Sequence, residues 1–565
     1  MKIKLPKDLS GVKFLEAFVI EMNNFDIDLF LPSLFFTILS QGHGRARRAN
    51  DPTKIKDYID ILAQHTALEG FDDTAGRRVL ERLVRTTLIT TGRIGRTSEG
   101  EQITSIVPYS LLAHKAGFPV AGSRQRGADT FIYQALRENM SRADDELQKA
   151  ITQIFGQGVI IGIMPELGGR YDGKTELDIL TRLSLAFLDG FQNTRMGLSR
   201  EKSVTPACPT MAHELATDLL RYLSDYYQRM PSQAFTYHLL ALINFELFSY
   251  TLKLVYAVNE LVRNTDVLPI AMRDKPLHPS PPQLYLDFTN DAGGYSQEMA
   301  KACVRRDVEA NQQYLSSVLR LRLLDRYVEQ LSRNTTRRTK IDAILDGSTS
   351  GSLYLQHLLW MLNEPALDVH LQAQARIDEE RILELNELQG EDVEVGEREE
   401  SLSWLEDITS AADSDLYRVV NLLVEGQRDN AINHFIAWYY GVGGIKKPHG
   451  VLRGNASRQS WRYAPTNDLL AVFVQLAAAR LPQQGVRSFR LQEFLTFLED
   501  RFGILIDRPP DNFKGAEYTA AAHDNLRAML NRLRQMGIFR DLSDDFTAQR
   551  LHPPYAGTQT ARMEV

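Results

Sequence analysis

Apolar residues recur at helical spacing through most of this chain, and the places where that spacing fails divide it. Long amphipathic runs cover residues 211–229, 233–263 and 296–333, with Pro231 breaking the first two apart. His238 to Val258 is apolar nearly all round, interrupted by Glu246 and Lys253, and reads as a buried helix rather than a membrane span. Two short segments, GVIIGIM at 158–164 and QLYLDF at 283–288, are strand candidates within the helices. No internal repeat of constant period is present.

The two ends depart from the helical pattern in similar ways. Towards the C-terminus an apolar helix is expected over Asn467 to Leu481, followed by an extended RSFRL and a helix over Leu491 to Phe502. After Pro509-Pro510 comes a long helix from Tyr518 to Met536, and then a stretch alternating around Ser543-Asp544-Asp545, as the hairpin of a winged helix would. Near the N-terminus, Arg77 to Arg85 continue a helix, and ITTGRIGR and EQITSIVPY flank a Ser98-Glu99-Gly100 turn. The expected fold class is mainly α and multidomain, a helical body with winged-helix-like α+β modules at its N- and C-terminal ends. The divisions expected are 1–125, a helical body over 126–375, an acidic linker region at 376–412, helices with a basic Gly-rich loop over 413–465, and the C-terminal module over 466–565.

Composition narrows the setting. A hydrophobic content of 43% and a charged content of 24% are those of an ordinary soluble protein. The net charge of -7 means that nucleic-acid binding would need local basic patches. Cys208 and Cys303 are the two cysteines, too few for a disulfide framework or a zinc site. The apolar residues before position 40 are interrupted by Glu16, Glu21, Asp26 and Asp28, which argues against a signal peptide. A cytoplasmic location is expected, with no membrane association.

Three basic features stand out against that acidic average. On the last long helix, Leu526, Met529, Leu530 and Leu533 would pack inward, whereas His523, Arg527, Asn531 and Arg534 form a different stripe. Arg and Asn can pair bidentately with guanine and adenine edges, and His can donate to a phosphate; the same stripe also suits a solvated helix face. Gly441 to Pro465 holds Lys446, Lys447, Arg453, Arg458 and Arg462 without an acid, and adds Trp461 and Tyr463 as stacking faces. Such a loop can follow a phosphate backbone, or dock on the acidic stretch at 378–407. Arg78, Arg82 and Arg85 share one helical face, with Arg93 and Arg96 beyond them and Arg45, Arg47 and Arg48 upstream.

Catalytic patterns are weaker. GGRYDGKT, Gly168 to Thr175, matches the phosphate-loop expression, in which Gly168 and Gly173 free the backbone, Lys174 reaches phosphates and Thr175 binds magnesium. Asp287 would then be the second metal-holding carboxylate. The context is poor, because Pro165-Glu166-Leu167 separate strand from loop and no alternating strand–helix sheet surrounds it. Asp287 and Asp291 as a magnesium pair are explained as well by an Asx-rich turn. Cys208 has no identifiable histidine partner, and His213-Glu214 lacks the second histidine of a zincin helix. No catalytic residue, metal or cofactor is expected.

The stretch SWRYAPTNDLLAVFVQLAAARL, with FRLQEFLTFLEDRFGILIDRPP and LRAMLNRLRQMGIF after it, resembles the C-terminal modules of large accessory proteins from bacterial antiphage defence islands. Those accompanying DNA-modification systems, methylation-associated or phosphorothioation-linked, come nearest, with an echo in TGRIGR and EQITSIVPYSLLAHKAGFP. The resemblance implies a DNA-sensing or assembly component working beside a separate ATPase or nuclease, and carries over no catalytic residue. The function expected is non-catalytic binding of double-stranded DNA within a multi-subunit defence complex. The alternatives are a helical scaffold whose terminal modules dock other subunits, and a nucleotide-dependent enzyme using Lys174.

Overall fold

The structure is a computed structural model that describes residues 3–10, 18–25, 27–43, 55–65, 68–93, 101–107, 109–116, 125–140, 143–162, 166–190, 194–195, 205–264, 281–387, 395–410, 412–455, 457–481, 488–540 and 549–556. It is mainly helical, and its strands are short.

The first part of the chain contributes α1 (Phe30–Leu39), α2 (Ile55–Ala63), α3 (Thr74–Thr87), the antiparallel pair β1 (Ile89–Arg93) and β2 (Glu101–Ile106), then α4 (Ala128–Glu138) and α5 (Ala143–Phe155). Asp73 caps α3 by accepting from the Gly76 amide at 2.6 Å. The tip of the expected hairpin, including Arg96, and Arg45, Arg47 and Arg48 lie outside the described residues. Short strands β3 (Val159–Ile161), β4 (Glu166–Leu167), β5 (Gly169–Tyr171) and β6 (Thr194–Arg195) surround α6 (Ile179–Asp189). A small hydrophobic cluster, with Tyr58, Leu80, Val84, Ile106 and Phe187 among its members, joins α2, α3, the β1–β2 pair and α6.

The body is built on α7 (Pro209–Tyr226), α8 (Ser232–Arg263), β7 (Leu284–Tyr285) and α9 (Tyr295–Leu331), followed by α10 (Thr335–Leu345), α11 (Gly351–Trp360), α12 (Pro365–Glu387), α13 (Val395–Ser410) and α14 (Asp415–Gly443). Helix α8 is long and apolar enough to cross a membrane by length and composition, but 94% of its most apolar window is buried inside the protein. Its polar residues are bonded within that core: Asn244 donates to the Val442 carbonyl, Asn259 to the Ala310 carbonyl and Lys253 to the Arg501 carbonyl. Much of the acidic stretch expected to be a linker is helix instead, ending α12 and forming α13, both packed along α14. Glu, Leu and Arg are good helix formers, so a run of acids with periodic leucines folds where a side is covered.

The C-terminal elements are β8 (Leu452–Arg453), β9 (Arg462–Tyr463), α15 (Asn467–Arg480), β10 (Phe489–Arg490), α16 (Leu491–Phe502), β11 (Ile504–Leu505), α17 (Ala516–Gln535), β12 (Phe539–Arg540) and β13 (Arg550–Leu551). Strand β13 lies between β10 and β12, antiparallel to both. The stretch around Ser543-Asp544-Asp545 lies outside the described residues.

This C-terminal part shares one hydrophobic core with the body, running from Ile3 to Leu551. Phe245 of α8 meets Phe473 and Phe502 with ring centroids 4.7 and 5.0 Å away. Strand β11 pairs in parallel with β7, more than two hundred residues earlier. Gly503 makes the approach possible: its φ is +70°, and a Cβ there would sit 2.5 Å from the Pro282 carbonyl oxygen. A buried ionic knot adds to the join. Arg501 of α16 reaches Asp218 at 2.7 Å, Glu246 at 3.0 Å and Glu214 at 3.2 Å, and Arg480 reaches Asp218 at 3.2 Å.

Candidate nucleic-acid interface

Helix α17 has two chemically different sides. Ala522, Asn525, Leu526, Met529 and Leu533 are buried, whereas His523, Arg527, Asn531 and Arg534 are exposed. Leu530 is half-buried. The exposed stripe therefore lies where the helical period placed it. Arg527 pairs with Asp524 at 3.1 Å, and Arg534 donates to the Asn531 side-chain oxygen at 2.7 Å while its guanidinium lies 5.5 Å from the Phe539 ring centre. Asn531 would have to release that bond to read an adenine edge bidentately.

The buried side is fixed by a residue that periodicity alone did not single out. Asn525 donates to the Leu286 carbonyl at 2.8 Å and the Ile506 carbonyl at 3.0 Å, and accepts from the Phe288 amide at 2.7 Å. An amide on an otherwise apolar face was the available signal. Arg532 was also missed. It donates to the Pro465 and Phe288 carbonyls at 3.1 and 3.4 Å and lies over the Phe288 ring.

The basic loop divides into three kinds of residue. Lys446 and Arg458 are exposed, and Lys447 donates to Asp28 at 2.7 Å. Arg453 and Arg462 are cross-strand partners in the β8–β9 pair, and Arg462 meets the buried Asp287 at 3.2 Å. Burial, with Arg462 beside it, pushes the Arg453 guanidinium below its usual pKa. The aromatic residues do not face outward. Trp461 is only 4% exposed, donates to the Asn455 carbonyl and stacks on Tyr439; the Tyr463 hydroxyl donates to the buried Asp307. That removes both as platforms for nucleic-acid bases, because α14 covers the Trp461 ring and the fully buried Tyr463 ring packs edge-on to Phe248 of α8.

The phosphate-loop reading is corrected by local geometry. Gly169–Tyr171 forms β5, antiparallel to β3, and the Gly168 carbonyl accepts from the Gly162 amide. Asp172 occupies the donors a phosphate would need. It accepts from the amides of Lys174 and Thr175 at 2.9 Å each and from the Thr175 hydroxyl at 2.5 Å. Gly173 takes φ +74° simply to close this turn. Helix α6 starts only at Ile179, with its first amides capped by Asp178 rather than by the Gly-rich segment. Asp287 is equally committed: Thr289 and Ser296 donate to one oxygen and Arg462 to the other. Gly168, Gly173, Lys174, Thr175 and Asp287 do not form a nucleotide site. Burial pushes the Cys208 thiol up to about 12 and Cys303 up to about 11, so neither is poised as a nucleophile.

On α3, Arg78, Arg82 and Arg85 are exposed, with Arg85 paired to Glu81 at 2.8 Å. Val79 and Leu83 stand among them, 58% and 39% exposed, which makes this face part basic and part apolar.

A comparison with known families decides the wider assignment. Residues 7–555 match the family described as methylation-associated defense system protein MAD7. The chain belongs to the MAD7 family. Its membership covers nearly the whole length, so the body and both ends are parts of one defence-system protein rather than an assembly of unrelated modules. No curated protein and no solved structure matches the chain. The expected kinship with accessory proteins of defence islands is thus established at the level of a methylation-associated defence system.

Proposed function

We propose that this MAD7-family chain is a non-catalytic DNA-binding and assembly component of its defence system, and that α17 faces the duplex. The observation that carries the reading is the division of α17: a fully polar exposed stripe with His523, Arg527, Asn531 and Arg534, backed by a side locked to the body through Asn525. The order helix, strand, helix, strand, helix, strand, strand over α15 to β13, with β13 central between β10 and β12 and β11 diverted to pair with β7, supports a winged-helix-like module whose third helix reads DNA. Lys446, Lys447, Arg453, Arg458 and Arg462 would contribute phosphate contacts, and Arg78, Arg82 and Arg85 a second basic patch. The partners would be double-stranded DNA and other subunits of the system, such as an ATPase or nuclease.

Fluorescence-anisotropy binding of the full chain to a short duplex across a salt series tests this. Affinity that falls steeply with salt is expected. No binding at low salt would overturn the reading and favour a scaffold, for which the exposed Val79 and Leu83 on α3 are the specific observation.

A further inference from the structure

The arginines drawn inward from the basic loop are not balanced by acids. Residues directly opposite across an antiparallel pair share a face with Cβ atoms about 5 Å apart, and like charges there are destabilising. Arg453 and Arg462 stand in that relation. Arg532 of α17 enters the same region, bonded to Pro465 beyond the end of β9 and to Phe288 next to Asp287. Asp287 is the carboxylate that answers them, and its oxygens are taken by Arg462, Thr289 and Ser296. Three guanidinium groups around one carboxylate leave two positive charges in excess, and none of the three is fully solvated.

Arg453 sharpens the imbalance. Its side chain has no hydrogen bond or ion pair among the described residues, although it is half-buried. Partial burial of unbalanced charge opposes folding unless an anion completes the cluster. A guanidinium offers N–H donors in a planar fork that matches phosphate oxygens bidentately, and a phosphate group can carry the two charges needed.

We propose that Arg453, Arg462 and Arg532 form a pocket for a phosphate group at the seam between the β8–β9 pair, the 284–288 strand and α17. The pocket does not depend on duplex binding. Two sources of phosphate fit the pocket, a nucleic-acid backbone lying along α17 and a free phosphate compound.

The test uses thermal unfolding of the full chain with pyrophosphate as probe, against sodium chloride at matched ionic strength. Pyrophosphate is expected to raise the midpoint beyond the chloride control. Arg453→Gln is expected to unfold at a higher temperature than the parent without phosphate, because it removes an unpaired charge, and to lose the pyrophosphate increment. Lys340→Gln, at an exposed position on α10 outside the proposed binding surfaces, should keep it. A pyrophosphate increment no larger than chloride gives, or one unchanged in Arg453→Gln, would overturn the pocket even if duplex binding stands. Duplex affinity measured on the same variants separates the sources. A drop of about tenfold in Arg453→Gln identifies backbone phosphate; an unchanged duplex affinity with a lost pyrophosphate increment identifies a free phosphate compound.

Discussion

The two ends of this chain present the same residue types on a helix beside a hairpin, yet they form different surfaces. Helix α17 exposes only polar residues along its stripe, and its other side is bonded into the core that runs through the body. Helix α3 belongs to a separate small core and exposes Val79 and Leu83 between its arginines. Charge count alone would treat the two as equivalent. What separates them is how each helix is anchored and what lies between its cations: a stripe free of apolar residues suits a phosphate backbone, whereas a mixed stripe suits a protein partner.

The largest effect that sharpens this comparison concerns anchoring. Arg501→Leu would leave the buried Asp218 and Glu246 without their shared cation, costing about 3–5 kcal/mol in denaturant unfolding. A loss below about 1 kcal/mol, the scale of an exposed pair, would mean that the C-terminal part does not depend on the body as described.

His449, buried within the basic loop, gives a pH-dependent counterpart. Burial, with Lys447 adding to it against Asp28 and Asp468, lowers its pKa to about 4 from 6.5. The unfolded chain therefore binds more protons than the folded one between those values, so stability is full above pH 6.5 and declines as pH falls towards 4. The decline attributable to this group should be on the order of 2–3 kcal/mol and absent in His449→Gln. An identical acid profile in the variant would contradict it.

Gly503→Ala should cost about 1–3 kcal/mol, because it strains a left-handed backbone and drives a Cβ against Pro282. The loss should appear as weakened protection of the β7–β11 amides in hydrogen exchange, with α3 unaffected. The smallest stability change is expected at the other end. Val79→Glu with Leu83→Glu should alter unfolding by less than about 0.5 kcal/mol for each exposed position, while abolishing capture of a defence-system partner and lowering duplex affinity far less than Arg527→Ala/Arg534→Ala does. A loss of duplex affinity as large as that of the α17 variant would instead erase the distinction between the two ends.

Much of this arrangement was legible in the sequence where it depends on local period. The exposed stripe of α17, the buried α8 and the strand candidates at 158–164 and 283–288 all follow from spacing within one element. Contacts that join distant segments were not. Nothing near Leu284 indicates that it pairs with Ile504, and Arg501, Asn525 and Arg532 look like ordinary helix residues until their partners arrive from elsewhere. GGRYDGKT failed for the opposite reason: the expression fits, but Asp172 within it satisfies the very amides that a phosphate would need. Trp461 sits in a polar run whose pattern suggests exposure, because Tyr439 of α14, which covers it, is remote from that run.

The most direct test of the central claim compares duplex binding by the full chain and by Arg527→Ala/Arg534→Ala over a salt series. Both positions are exposed, so folding should be preserved. The account predicts at least a tenfold loss of affinity and a salt slope shallower by about two. Unchanged affinity and slope, with the fold intact, would contradict the assignment of α17 to DNA.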